Sequence, residues 1–221
     1  MGRYLQQWGF TPQKPVYKAY EQDRREVKEW LEKKYPDIKV QAHREKAEIH
    51  WADEVGMRSD HQAGRTYAKK GATPVIKRTG KRYRINMISS LTNRGTLRFM
   101  IFRNGFNAEV FIRFLKKLIK GSARKIYLIV DGHPAHKTKK VKEWLEQNKK
   151  KIELFFLPPY SPELNPDELV NQDIKTNVVG KQRTLNIDEM ESNVKYFMSK
   201  RKKNPEQVKK YFHGKYVRYA A

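Results

Sequence analysis

The stretch KIYLIVDG (125–132) decides the fold, because it is a continuous apolar run that leads directly into an acid. Such runs are typical of strands that are buried on both faces of a sheet. The segment TKKVKEWLEQNKK that follows has helical spacing, and IELFFLPP (152–159) repeats the buried-strand pattern. A further helix is predicted after Asn165, with Pro166 in its first turn. This alternation of strands and helices predicts an α/β layer architecture.

Upstream of this region, the hydrophobic pattern predicts an antiparallel meander followed by a helix. Turn residues at Gly80 and at Asn93-Arg94-Gly95 separate the strands. The predicted strands are AEIHWADE (47–54), RYRINMISSL (82–91) and TLRFMIFR (96–103), and the helix is NAEVFIRFLKKLIKG (107–121). The predicted fold is therefore a mixed five-stranded sheet flanked by helices.

The two ends of the chain are predicted to be mostly helical. Apolar residues at helical spacing predict one amphipathic helix from Ala19 to Tyr35, which Pro36 should stop. Residues from about Asn186 onward are strongly basic and also predicted to be helical. We expect four segments: a linker or domain remnant (1–17), a connecting helix (18–46), the α/β domain (47–185) and a basic helical C-terminal extension (186–221).

The composition favours a nucleic-acid partner. The 221 residues include 48 Lys and Arg against 24 Asp and Glu, and the resulting net charge of +24 attracts polyanions over a long range. A ribosomal-type basic protein or a patch for anionic lipid are the alternatives. The absence of Cys excludes disulfides and thiolate zinc sites. Because there is no long apolar run and no N-terminal segment of the signal-peptide type, we expect a cytoplasmic, nucleoid-associated protein without membrane contact.

Three acids fall where sheet topology would bring them together. Asp53 ends the first predicted strand, Asp131 ends the fourth, and Glu168 lies early in the helix after the fifth. Residues just beyond the carboxyl ends of strands converge at one edge of an open sheet. Converging carboxylates repel one another unless a cation holds them, and oxygen ligands suit Mg²⁺ or Mn²⁺. Two such ions would hold the attacking and leaving oxygens of a phosphodiester. The alternative for Asp131 is a simple turn cap.

Neighbouring residues compete for these roles. Glu54 and Asp167 are alternative ligands, although strand alternation and helical rotation disfavour two adjacent acids facing one ion. His133 and His136 are candidates for orienting phosphate or a metal-bound water, or else they are turn residues bonded to the backbone.

A cluster of cations surrounds the second predicted strand. These residues are candidates for gripping DNA phosphates, although such clusters are often only a solvated face. The cluster consists of Lys69, Lys70, Lys77, Arg78, Lys81, Arg82 and Arg84.

Three motifs together resemble the catalytic domain of bacterial insertion-sequence transposases of the mariner superfamily. They are WADEVG, LIVDGHPAHKTKKVKEWL and LFFLPPYSPELNPDEL, and the last is the most specific. The resemblance implies a ribonuclease H-like fold, with Asp53, Asp131 and Glu168 as the catalytic acids that bind two Mg²⁺ or Mn²⁺ ions. It also implies cleavage and strand transfer of double-stranded DNA, at element ends and at the target, and leaves open whether a homodimer binds that DNA.

Two departures from the family pattern accompany the resemblance. Relatives usually carry an aromatic residue shortly after NPDE, where this chain has Asn171, and we expect looser packing of the helix there. The segment YLQQWGFTPQKP resembles only the last part of a helix-turn-helix region. The alternatives to an active transposase are an inactive remnant that only binds DNA and another ribonuclease H-like nuclease.

Overall fold

A mixed five-stranded sheet forms the centre of the protein. The computed structural model describes residues 2–11, 19–60, 67–72, 75, 80–179 and 184–221. The strands lie in the order β3-β2-β1-β4-β5, antiparallel among the first three and parallel from β1 to β4 and β5. Their bounds are β1 Glu48–Arg58, β2 Arg84–Leu91, β3 Leu97–Phe102, β4 Ile126–Val130 and β5 Ile152–Phe156. The predicted meander and the predicted ribonuclease H-like sheet are both confirmed.

Eight α-helices accompany the sheet in the described part of the chain. Side chains of Asn107, Thr138 and Asn165 cap the helices that follow them by accepting bonds from free backbone N–H groups. The helices are α1 Gly2–Gln7, α2 Arg24–Glu29, α3 Tyr35–Arg44, α4 Ala108–Lys120, α5 Lys139–Gln147, α6 Pro166–Ile174, α7 Ile187–Lys202 and α8 Pro205–Lys209. No helix among the described residues is long and apolar enough to cross a membrane.

Helices cover both faces of the sheet. On one face, α4 and α5 bury a cluster that includes Phe111, Leu115 and Val141 against alternate residues of the strands. On the other face, α3, α6, α7 and α8 pack around Trp51 in a larger cluster. The buried strand β4 contributes to both clusters, as its uninterrupted apolar run predicts.

The prediction that Pro36 stops the N-terminal helix is wrong. The helical path continues from α2 through a π-helical turn, Trp30–Lys34, into α3, and Pro36 lies in the first turn of α3. The wider π-helical turn precedes the proline. In an uninterrupted α-helix, the ring of Pro36 would clash with the backbone carbonyl of Glu32, four residues earlier. The extended helix is held in place by Trp30 and Tyr35, which are both buried.

Strand β1 is longer than predicted, so Asp53 lies within it and not at its end. β1 pairs with β2 along Trp51 to Arg58, but its parallel pairing with β4 ends at Trp51, opposite Ile129. Asp53 therefore lies two residues after Trp51, the last residue of β1 that pairs with β4. In the parallel part of the sheet it still occupies the carboxyl edge, where functional side chains collect.

The basic helical segment from Asn186 onward contributes directly to the main core. Met190, Val194 and Met198 of α7 are buried against the sheet, as is Phe212 beyond α8. The Phe212 ring meets the Trp51 ring edge-on, with centroids 5.2 Å apart. Lys195, Lys202 and Lys203 of this segment are exposed, while its apolar stripe packs into the core beside the sheet.

Candidate metal centre

The three predicted acids line one cleft at the carboxyl edge of the parallel strands. Asp53 comes from β1, Asp131 follows β4 directly, and Glu168 lies in the first turn of α6. The cleft has a volume of about 490 Å³, and its wall also includes Lys137 and the segment from Leu157 to Pro162. The structure therefore brings together the side chains that the sequence predicts as ligands.

The electrostatics of this cleft suit a cation. Burial raises the pKa of Asp53 well above its ordinary value, and the negative charges of Glu168, Asp167, Glu54 and Asp131 raise it further. The pKa of Glu54 is also raised, by burial and then by the charge of Asp131. Buried carboxylates that repel one another are stabilised by a hard cation with oxygen ligands. The donor set thus fits Mg²⁺ or Mn²⁺.

Asp131 is held in place by the two histidines that follow it. The backbone N–H of His133 donates to Asp131 Oδ1 at 3.1 Å, and Nδ1 of His136 lies 3.2 Å from the same oxygen. Burial alone would raise the pKa of Asp131, but the hydrogen bonds from His136 and His133 outweigh it and the pKa is lowered. Both predicted histidines therefore contact Asp131, and His136 is almost fully buried.

Glu54 faces Asp131 from the side of β1 opposite to Asp53. In the described part of the chain, one group of three potential ligand atoms lies within 4.8 Å of one another, and it consists of Glu54, Asp131 and His136. Nδ1 of His136 also lies 3.2 Å from the carbonyl oxygen of Asp131, which favours an N–H at that atom over a free lone pair. This geometry favours a hydrogen-bonded role for His136 Nδ1. Glu54 remains an alternative partner of Asp131, beside Asp53 and Glu168, which line the cleft.

Asp167, the alternative to Glu168, is occupied by other bonds. It is fully buried, and it accepts hydrogen bonds from Ser89 Oγ at 2.9 and 3.0 Å and from the backbone N–H of Asp53 at 2.9 Å. Burial raises its pKa well above the ordinary value, even though these donors lower it. Asp167 therefore ties α6 to β1 and β2, and Glu168 is the acid that lines the cleft.

Two asparagines at the site were not predicted to contact it. Nδ2 of Asn165 donates to the carbonyl oxygen of Ala52 at 3.1 Å, and its Oδ1 accepts from the Asp167 N–H. Nδ2 of Asn171 donates to Asp53 Oδ2 at 2.8 Å. The expected loosening of α6 at Asn171 is not observed, because this side chain is 1% exposed and bonded to β1. No periodicity in the sequence reveals the bonds to Ala52 and Asp53, which are 113 and 118 positions away from their donors.

The predicted cation cluster is only partly described by the structure. Lys69, Lys70, Lys81, Arg82 and Arg84 are exposed, and Arg82 lies 3.4 Å from Asp60 in an ion pair. Lys77 and Arg78 lie outside the described residues.

Lys137 is a cation that sequence reasoning missed. It lines the cleft of the three acids, and its ammonium group lies 5.2 Å from the centre of the Phe156 ring. Its position six residues after Asp131, at the end of the turn that begins with His133, is the signal that could have identified it.

Comparisons with known proteins indicate the family of the chain. A family model described as DDE superfamily endonuclease matches residues 48–191, and one described as winged helix-turn helix matches residues 1–34. The chain is 23% identical over 152 residues to an insertion element IS630 uncharacterized 39 kDa protein from Shigella sonnei. This match covers 68% of the chain but 44% of that relative, so the chain spans less than half of its length.

Solved structures of similar fold include the Mos1 transposase paired-end complex with left transposon end. It has a TM-score of 0.69 at 16% identity and covers 98% of this chain and 67% of that one. The catalytic domain of Mos1 mariner transposase has a TM-score of 0.59 at 15% identity, with 92% and 94% coverage. These similarities establish the fold, and the family model spans more than half of the sequence, including all three acids of the cleft. The chain therefore belongs to the DDE superfamily endonuclease family.

Proposed function

We propose that this chain is the catalytic core of a DNA transposase, which cleaves DNA strands and transfers them in insertion-sequence transposition. The observation that carries the proposal is the convergence of Asp53, Asp131 and Glu168 on one cleft, in a chain of the DDE superfamily endonuclease family. The net charge of +24 supports a DNA substrate, because a polyanion must approach a site lined by acids.

Asp53, Asp131 and Glu168 would hold two Mg²⁺ or Mn²⁺ ions, and similar Mos1 mariner paired-end complexes are described with Mn and with Mg. When bound, these ions would polarise the scissile phosphate and lower the pKa of the attacking water or 3′-hydroxyl group. His133 and His136 keep the Asp131 carboxylate oriented, which fixes one ligand before substrate arrives. Lys137 lines the same cleft and would contact a phosphate oxygen of the bound strand.

The reaction needs no covalent bond between protein and DNA. In the cleavage step, a water oxygen forms a bond to phosphorus as the strand's P–O bond breaks, which releases a 3′-hydroxyl. In strand transfer, that 3′-hydroxyl loses its proton and forms a P–O bond to a phosphodiester of the target. The target's own P–O bond to its 3′ oxygen breaks, and that oxygen leaves as a hydroxyl after taking up a proton.

Double-stranded DNA is the proposed partner, as element ends and as target, acted on at the nucleoid in the cytoplasm. The winged helix-turn helix match over residues 1–34 supports contact with DNA outside the cleft. The exposed cations Lys69, Lys70 and Arg84 support a second contact beside β2. We propose binding as a homodimer, because two copies of one chain could each hold one DNA end; a solved structure of similar fold is described as a paired-end complex.

The experiment that tests this function is nicking of a supercoiled plasmid with Mn²⁺ or Mg²⁺. Wild-type protein is compared with Asp131→Ala and with a matched control, Asp188→Ala, whose side chain is 77% exposed and paired with Arg103 away from the cleft. We expect metal-dependent nicking by the wild type and the control, and none by Asp131→Ala. Equal nicking by wild type and Asp131→Ala, or no cutting by any of the three proteins, would contradict the proposal.

A further inference from the structure

Helix α6 grips β1 at the position of Asp53 through both backbone and side chain. Asp167 accepts the N–H of Asp53, and Asn171 donates to Oδ2 of the same residue. One residue earlier along β1, Asn165 donates to the carbonyl oxygen of Ala52. Asn165, Asp167 and Asn171 are at most 2% exposed, so water does not compete for these bonds.

The bond from Asn171 leaves Asp53 with a defined orientation. Oδ2 is occupied by the amide of Asn171, so Oδ1 remains available to the cleft that Asp131 and Glu168 also line. Without this bond the Asp53 carboxylate is free to rotate about its terminal torsion, which is broad for aspartate. A fixed carboxylate loses less conformational freedom when it binds an ion.

Asn171 maintains this bond at a cost. Its Oδ1 is buried and has no hydrogen-bond partner. A buried amide oxygen without a partner is unfavourable, and an apolar side chain at the same place would avoid the penalty. The amide orientation with Nδ2 toward Asp53 is the one in which a donor faces the carboxylate. The unpartnered Oδ1 of Asn171 thus lowers the stability of the fold, while Nδ2 of the same side chain fixes the orientation of the Asp53 carboxylate.

We propose that Asn171 is a positioning residue that pre-orients Asp53 for metal binding. This inference rests on the proposed function, since it assumes that Asp53 binds a divalent ion. It predicts that Asn171 affects the affinity for metal more than the stability of the fold. Partners that hydrogen-bond a metal ligand change metal affinity by roughly 10–100-fold when they are removed.

The test is titration of the intact chain with Mn²⁺. Binding is measured by calorimetry or by the electron spin resonance signal of free Mn²⁺. Asn171→Leu keeps the branching at Cγ, in a larger side chain, and removes the donor. The matched control is Asn177→Leu, which removes an amide that donates to Asp173 in the turn after α6, away from the cleft. Thermal unfolding of both variants without metal measures the purely structural effect of losing an Asn–Asp bond.

We expect Asn171→Leu to bind Mn²⁺ at least about tenfold more weakly, in the range known for such partners. Asn177→Leu is expected to keep its Mn²⁺ affinity within about twofold, because its amide bonds to Asp173, which does not line the cleft. If Asn171→Leu does not fold, Asn171→Ala provides the same comparison with a smaller side chain. Unchanged affinity in a folded Asn171 variant, or an equal loss in Asn177→Leu, would overturn the inference.

The two proposals fail differently in this experiment. Wild-type protein that binds Mn²⁺, with binding lost in Asp131→Ala but kept in Asn171→Leu, would contradict the role of Asn171 alone. Wild-type protein that binds no Mn²⁺, or binds it equally well without the Asp131 carboxylate, would contradict the proposed function and the inference that rests on it.

Discussion

Replacing Phe212 by alanine should destabilise the whole catalytic fold, although this residue lies in the basic C-terminal segment. The Phe212 side chain is 1% exposed and packs edge-on against Trp51, which is fully buried in β1. Trp51 lies two residues before Asp53 on the same face of that strand. A cavity at Phe212 would therefore open directly beneath the site.

The magnitude follows from this burial. A fully buried Phe replaced by Ala costs about 3–5 kcal/mol, from lost transfer free energy and from the cavity that remains. Of this, about 0.5–1.5 kcal/mol reflects the edge-on ring pair beyond its buried area. Against a free energy of unfolding of about 5–15 kcal/mol for an ordinary domain, the loss is a large fraction of the total.

Urea unfolding followed by tryptophan fluorescence measures this loss, because Trp30 and Trp51 are buried in the cluster that contains Phe212. The matched control is Tyr196→Ala, which removes an aromatic ring that is 72% exposed in the same segment. The control should change the free energy of unfolding by less than about 0.5 kcal/mol. A loss below about 1 kcal/mol for Phe212→Ala would refute the reasoning, since buried Phe side chains cost more than this in an integral core. The segment would then be an accessory to the core.

Two further predictions concern metal binding and a turn. Mn²⁺ affinity should fall as the pH is lowered, because burial and neighbouring carboxylates raise the pKa of Asp53 and an ion must displace its proton. Binding should therefore release protons, which calorimetry in two buffers of different ionisation enthalpy would detect. Binding without proton release would contradict this prediction. Gly95→Ala should lower the free energy of unfolding by more than about 2 kcal/mol. The left-handed backbone at this position (φ 91°) costs a residue with a side chain about 1–2 kcal/mol. In addition, the new Cβ would lie 2.6 Å from Pro205 Cβ. Gly71→Ala, with φ 84° and nothing within 4 Å among the described residues, should cost about 1 kcal/mol in the same unfolding assay, and equal losses would disprove the contact with Pro205.

Much of the fold could be predicted because each strand and helix has its own local signal. The apolar run before Asp131 is typical of a buried strand, and the order of elements around it predicts the mixed sheet that is observed. The helix through Pro36 could not be predicted in the same way. Its continuation depends on a π-helical turn and on the burial of Trp30 and Tyr35, which are properties of tertiary packing.

The site could be predicted to the level of its acids, but not to the level of their partners. Asp131 directly follows a buried strand, so its position at the sheet edge follows from the sequence alone. The bonds from Asn171 to Asp53 and from Ser89 to Asp167 join residues that are far apart in the chain. Such bonds depend on how α6 packs against β1 and β2. The hydrophobic periods of helices and strands in the sequence do not carry that information.

The different fates of the adjacent acids in NPDE follow from the rotation of α6. Asp167 and Asn171 are four residues apart, so they share one face of the helix, and that face is the one bonded to Asp53. Glu168 is turned by about 100° from Asp167 and lines the cleft. One short helix can therefore hold the first acid with one face and supply the third acid from the next. Any shift of α6 along β1 would disturb both at once, so the register of this single contact sets the geometry of the candidate metal centre.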